Sequence, residues 1–176
     1  ASTNAVITNS TGAVTASNTA TTAQADTISA LAKAVVYNVS GTAAEIVAAS
    51  AAARNEAVNI TITDDATIAQ ATTAEDASNS GTVTVATITD TAANIAASTN
   101  AVITNSTGAV TASNAATVAQ ATTIDAFAKA VVFAVSDTAA AIAASSSAAL
   151  NEATSVTASD TATVAQSTTI DAFDTA

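Results

Sequence analysis

Read for apolar and polar positions alone, the chain alternates between two textures. One is a short run of period two, seen in AVTASN, VVYNVSG, VNITITD, ATITD, AVTASN, VVFAVSD and TSVTASD. The inward candidates in these runs are Val14 and Ala16, Tyr37 and Val39, Ile60 and Ile62, Val110 and Ala112, Phe133 and Val135, and Val156 and Ala158. Alternation with β-branched residues predicts strands with one buried face. The other texture is Ala-dense, with apolar residues at wider spacing: Ile95 and Ile103, Ile142 and Leu150, and Val118, Ile124 and Phe127. That spacing fits one stripe of a short helix, and Ala is the best helix former.

The textures recur in register. A polar or Gly residue closes each strand-like run, at Asn18, Gly41, Asp64, Asp90, Asn114, Asp137 and Asp160. Neighbouring anchors lie 23 to 26 residues apart, the widest step carrying a small insertion around Ser78-Asn79-Ser80-Gly81. A longer period encloses this one. ASTNAVITNSTGAVTASN at 1–18 returns unchanged at 97–114, an offset of 96 residues. Four coils make one such superperiod, and two coil types alternate within it. Residues 1–176 therefore read as a single repeat array, an α/β solenoid of about seven coils of 23–24 residues. Each coil would hold a short parallel strand and a short Ala-rich helix, and would bury its apolar face only against its neighbours. An all-β parallel β-helix is the competing architecture.

Asp or Asn at an anchor suits a helix N-cap, because its side chain accepts a hydrogen bond from a free first-turn amide. Asn18, Asp64, Asp90, Asn114, Asp137 and Asp160 are therefore expected to cap the helices that follow them. Gln24, Gln70, Gln120 and Gln166 recur in every second coil and are expected to bond neighbouring turns, as inward Asn ladders do in other solenoids. The outward strand positions Thr15, Ser17, Thr61, Thr63, Thr87, Thr89, Thr111, Ser113, Thr157 and Ser159 predict a regular hydroxyl-and-methyl ladder. Parallel strands about 4.8 Å apart would make it a grid. Such a grid resembles the ice-binding faces of β-solenoid antifreeze proteins; a solvent face of good strand formers accounts for it equally.

Composition narrows the function classes. Net charge is −11, with Lys33, Arg54 and Lys129 the only cations. That argues against a nucleic-acid partner, which needs a basic surface. There is no His or Cys, and no Ser sits in a G-x-S-x-G elbow, so the chain reads as no enzyme and needs no cofactor. Asp64-Asp65 and Glu75-Asp76 are the adjacent carboxylate pairs, read as solvated cap or loop residues. The Asp anchors could stack oxygens for calcium, but the Gly-rich calcium nonapeptide is absent and capping explains them without a metal. Thr, Ser or Asn interrupts every apolar run, so no transmembrane segment is expected. Sequons begin at Asn9, Asn38, Asn59 and Asn105 and would carry glycan only in a glycosylating host.

VSDTAAAIAAS, ITDTAANIAAS and TATVAQSTTIDAF resemble the Ala/Thr-rich, acidic, Cys-free tandem repeats of large secreted bacterial proteins of the surface-layer, haemolysin-like and adhesin kind. The resemblance implies an extracellular or cell-surface structural protein and carries over no catalytic residue. No distinct end cap is visible. The expectation is either a part of a longer array or a subunit whose ends dock on further copies, giving a filament, sheath or surface layer. A Thr-face binding module, for ice or another surface, is the alternative.

Overall fold

The computed structural model describes residues 4–173. The chain is mixed α/β, with parallel strands and helices alternating along it. It separates into two compact units, Ala1–Thr87 and Ile88–Ala176.

The first unit runs α1 (Asn4–Thr8), β1 (Val14–Thr15), α2 (Thr22–Ser29), β2 (Val35–Val36), β3 (Val39–Gly41), α3 (Ala43–Ala48), α4 (Ala51–Glu56), β4 (Ile60–Ala66) and α5 (Ile68–Glu75). It closes with the first residues of β5 (Val83–Asp90). β1 pairs with β2, and β3 with β4, all parallel. The second unit begins in the last residues of β5. It continues through α6 (Ala92–Ala96), α7 (Asn100–Thr104), β6 (Val110–Ala112), α8 (Val118–Asp125), β7 (Val135–Asp137), α9 (Ala139–Ala144), α10 (Ser147–Asn151), β8 (Val156–Ala158) and α11 (Val164–Ile170). Here β5 pairs with β6 and β7 with β8, again parallel. These helices exclude the all-β alternative: the Ala-rich segments lack the alternation a strand needs to bury one face.

Two coil types are visible. One carries a single longer helix (α2, α5, α8, α11). The other splits its helix into two short ones (α3 with α4, α6 with α7, α9 with α10). α1 repeats the NAVIT of α7, the second half of a split pair. Helices of five to eight residues are too short to persist alone in water. Lateral packing holds them. In the first unit α2 packs on α4 and α3 on α5; in the second, α6 and α10 flank α8, and α9 packs on α11. Each longer helix thus meets the first short helix of the split pair before it, or the second short helix of the pair after it, or both.

Strand register is set by apolar pairing. Val14 faces Val35, Val39 faces Ile60 and Val135 faces Val156, each a step of 21 residues; Ile88 faces Val110, a step of 22. These steps are shorter than the anchor spacing because the anchor sits at a different depth in each coil type. Gly41 ends β3, level with Ile62, whereas the next anchor is Asp64, two residues further on. The core holds Tyr37, Val39, Ile46, Ile60 and Ile62 in the first unit, and Ile88, Ile95, Ile103, Val110, Phe133, Ile142 and Leu150 in the second, all nearly solvent-free. Ala25, Ala53, Ala71, Ala121 and Ala139 fill the close approaches between elements. Burying one Ile contributes roughly 1.5–3 kcal/mol, so the few Ile residues carry much of the packing.

Among the described residues no helix is long and apolar enough to cross a membrane.

Candidate functional site

The anchors behave differently from the sequence expectation. The N-cap of every helix that follows an anchor is a threonine: Thr21, Thr42, Thr67, Thr91, Thr117, Thr138 and Thr163. Each has extended backbone and accepts a hydrogen bond from the amide three residues on. Asn18, Asp64, Asn114 and Asp160 stand three residues ahead of that threonine, too early to be N-caps. Asp90 and Asp137 stand one residue ahead; each accepts the threonine's own amide, at 2.7 and 2.8 Å.

Anchors also reach sideways, to the helix one coil earlier. Asp64 Oδ1 accepts from the Ala43 amide at 2.7 Å, Asn114 Oδ1 from Ala92 at 2.8 Å, Asp137 Oδ2 from Val118 at 3.0 Å and Asp160 Oδ1 from Ala139 at 2.6 Å. Each donor is the first residue of its helix, one of the amides that has no partner within the helix, and a carboxylate there also faces the positive end of the helix dipole. Gly41 has no side chain to do this for Thr22, and the same step back from Asn18 falls before Ala1.

The Gln residues are also local. Gln24, Gln70, Gln120 and Gln166 accept from the amides of Thr21, Thr67, Thr117 and Thr163 at 2.8–2.9 Å, completing capping boxes. This replaces the expected inter-turn ladder, because a Gln three residues after an N-cap threonine is already within reach of its amide. Glu45 does the same for Thr42 at 2.8 Å, and those bonds hold its carboxyl below the usual range. Asp26 is also lowered, first by the Ser50 amide at 2.9 Å, then by the Ser50 hydroxyl and Arg54.

An inter-coil ladder does exist, formed by residues the sequence marked only as sequons. Asn59 Nδ2 donates to Asn38 Oδ1 at 2.9 Å, and Asn59 Oδ1 accepts from the Thr82 amide at 2.8 Å. The signal was Asn immediately before two strands, β3 and β4, 21 residues apart.

The Thr/Ser face is assembled in pieces. Side-by-side pairs are Ser40 with Thr61 in the first unit, and Thr89 with Thr111 and Ser136 with Thr157 in the second. Thr15 instead neighbours Val36, and the second neighbour of Thr111 is Val132, both valines about half exposed. Some hydroxyls are spent internally: Thr63 donates to the Gly41 carbonyl at 3.2 Å and Thr87 to Asp65 Oδ1 at 2.8 Å. Ser17, Ser113 and Ser159 are exposed beside their strands. The Val36 and Val132 interruptions arise because coils pair 21 residues apart while the Thr spacing follows the anchors.

Arg54 and Lys33 serve the backbone. Arg54 donates to the carbonyls of Ile46 and Val47 at 3.1 Å and to that of Ala49, closing the end of α3; Lys33 donates to the Ser10 carbonyl. Buried Tyr37 donates to the Ala53 carbonyl at 2.8 Å, and its phenol is pushed up to about 12, mainly by burial and then by Glu56 and Asp26. Among the described residues no three His, Cys, Asp or Glu converge as a metal site.

Helix burial differs along the chain. No residue of α11 is buried, whereas the matching helices bury Ala25 on α2, Ile68, Ala71 and Ala74 on α5, and Ala121 and Ile124 on α8. Val164 is 86% exposed, while its counterpart Ile68 is 8% exposed. At the other end Val6 is 65% exposed, while Val102, in the identical NAVIT of α7, is 2% exposed. A groove of about 560 Å³ lies beside α1 and α2, lined by Ile7, Ile28 and Leu31 among others.

No family model, curated protein or solved structure matches this chain.

Proposed function

We propose that the chain is a non-enzymatic structural repeat protein of the cell surface or exterior. In this reading its coils form a solenoid that assembles into a filament, sheath or surface layer through end or strand-edge contacts. The repeat itself carries the reading: short helices are held by the helices of neighbouring coils, as α2 is by α4, α3 by α5 and α8 by α6 and α10. Coil faces of this kind are stable when a neighbour covers them. The acidic, Cys-free composition and the resemblance to secreted tandem repeats support the exterior location. Electron microscopy of the purified protein tests assembly; ordered fibres or sheets are expected, and monomers at high concentration would overturn it.

A second reading, a surface-binding face, draws on the three side-by-side hydroxyl pairs. It is the weaker one, since Val36 and Val132 break the grid. Ice-recrystallisation assays test it, and an inactive parent protein would end it.

A further inference from the structure

We propose that a cavity within the second unit binds a small zwitterion, a free amino acid with an apolar side chain. The cavity measures about 220 Å³ and is lined by Asp125, Phe127, Lys129, Phe133 and Glu152 among others. It lies where the end of α8, the loop that follows it and the C-terminal end of α10 meet. Sites for drug-sized ligands run to roughly 300–1,000 Å³, so this one suits a ligand of few atoms. Such a site is compatible with assembly and does not depend on it.

The 96-residue superperiod supplies an internal comparison. Lys33, Tyr37 and Glu56 match Lys129, Phe133 and Glu152, while Ser29 and Leu31 stand where the cavity has Asp125 and Phe127. In the first unit the polar groups of this set are engaged. Ser29 donates to the Asp26 carbonyl at 3.1 Å, Lys33 to the Ser10 carbonyl and Tyr37 to the Ala53 carbonyl at 2.8 Å. The second unit differs. Phe133 has no hydroxyl to donate, and among the described residues the side chains of Asp125, Lys129 and Glu152 have no hydrogen-bond or ion-pair partner. Three of the positions at which the two copies diverge, Asp125, Phe127 and Phe133, thus gather on one cavity.

The chemistry of the lining selects the ligand. Asp125 and Glu152 are exposed and Lys129 is half-buried, so both signs of charge are offered at the opening. A ligand ammonium would pair with Asp125 or Glu152 and a ligand carboxylate with Lys129, through charge-assisted hydrogen bonds. Phe127 and Phe133 give the ligand's side chain apolar contact, and an aromatic ring also attracts a cation. A simple anion would meet two carboxylates, and a simple cation would leave Lys129 without a partner. A zwitterion answers both.

Ligand-observed saturation-transfer NMR with L-leucine tests the site. Leucine should bind saturably. L-leucinamide lacks the carboxylate and 4-methylpentanoate lacks the ammonium, and each should bind about tenfold more weakly. Lys129→Gln should weaken leucine about tenfold, as should the double variant Asp125→Asn with Glu152→Gln. Circular dichroism should be unchanged in both, because these side chains hold no bond within the described chain. Lys33→Gln, at the matching place in the first unit, should leave leucine binding unaltered. No saturable signal from leucine would overturn the site, as would equal binding by the parent and Lys129→Gln. Leucinamide or 4-methylpentanoate binding as tightly as leucine would overturn the zwitterion.

Discussion

Tyr37 and Phe133 occupy the same place 96 residues apart, and both are 2% exposed. The socket therefore accepts a ring with or without a hydroxyl. Tyr37→Phe should fold normally and cost about 1 kcal/mol, the value of the lost hydrogen bond to Ala53, measured by urea unfolding. Its pH signature is more specific. The phenol rises from 10.0 to about 12 on folding, so its contribution is complete below pH 10 and is lost as pH rises towards 12. The Phe variant should lose stability less steeply than the parent across that window. The anchors make a second residue-scale prediction. Asp64→Ala removes the acceptor for the Ala43 amide and should cost about 1 kcal/mol, as other helix caps do. Unchanged stability would contradict the inter-coil capping. Sequence reading expected the anchors to be N-caps of the helices that follow them; the N-caps are threonines, and Asp64, Asn114, Asp137 and Asp160 accept from the first helical amide one coil earlier. A side chain's preference for amides is legible in its type; which helix lies beside it follows from a 21-residue register that the anchor spacing of 23 concealed.

At the scale of elements, both strand and helix textures were legible. Ile95, Ile103, Ile142 and Leu150 are fully buried on the short helices, and of the inward positions Tyr37, Val39, Ile60, Ile62, Val110, Phe133 and Val135 are buried as alternation requires while Ala112 is half-buried. Less legible was the splitting of alternate helices. It depends on a second polar N-cap inside an Ala-rich stretch, such as Ser50 for α4 or Thr99 for α7, and in a chain so rich in Ser and Thr that signal is masked. The hydroxyl ladder was overread for the same reason: Thr at alternate positions reveals a strand's outer face, not its neighbour across the sheet. The insertion near Gly81 gives the prediction at this scale. A Cβ there would stand 2.6 Å from the Val58 carbonyl oxygen and 2.3 Å from Asn59 Oδ1, while the Gly81 amide donates to that same carbonyl at 2.8 Å. Gly81→Ala should therefore destabilise by about 1–3 kcal/mol through forced backbone displacement, seen as a lower thermal midpoint. An unchanged midpoint would show that the start of β5 yields freely.

For the whole molecule, net charge opposes assembly. A chain of charge −11 repels its copies at low ionic strength, and salt screens that repulsion within about 10 Å at 0.1 M. Light scattering should accordingly rise with added sodium chloride at fixed protein concentration. Assembly that falls with salt would instead point to charge pairing between copies. The 96-residue superperiod was plain in the sequence. The division into units near Thr87 and Ile88 was not, because the repeat pattern runs through that point without a change in texture.

The sideways reach of the anchors has a consequence for how the chain comes into being. Ala43 is closed by Asp64, Ala92 by Asn114, Val118 by Asp137 and Ala139 by Asp160. As the polypeptide is synthesised, each of these helices waits about twenty residues for the side chain that accepts its first amide. Each of these coils is thus finished only once the next has emerged, and their maturation trails the growing end by one coil.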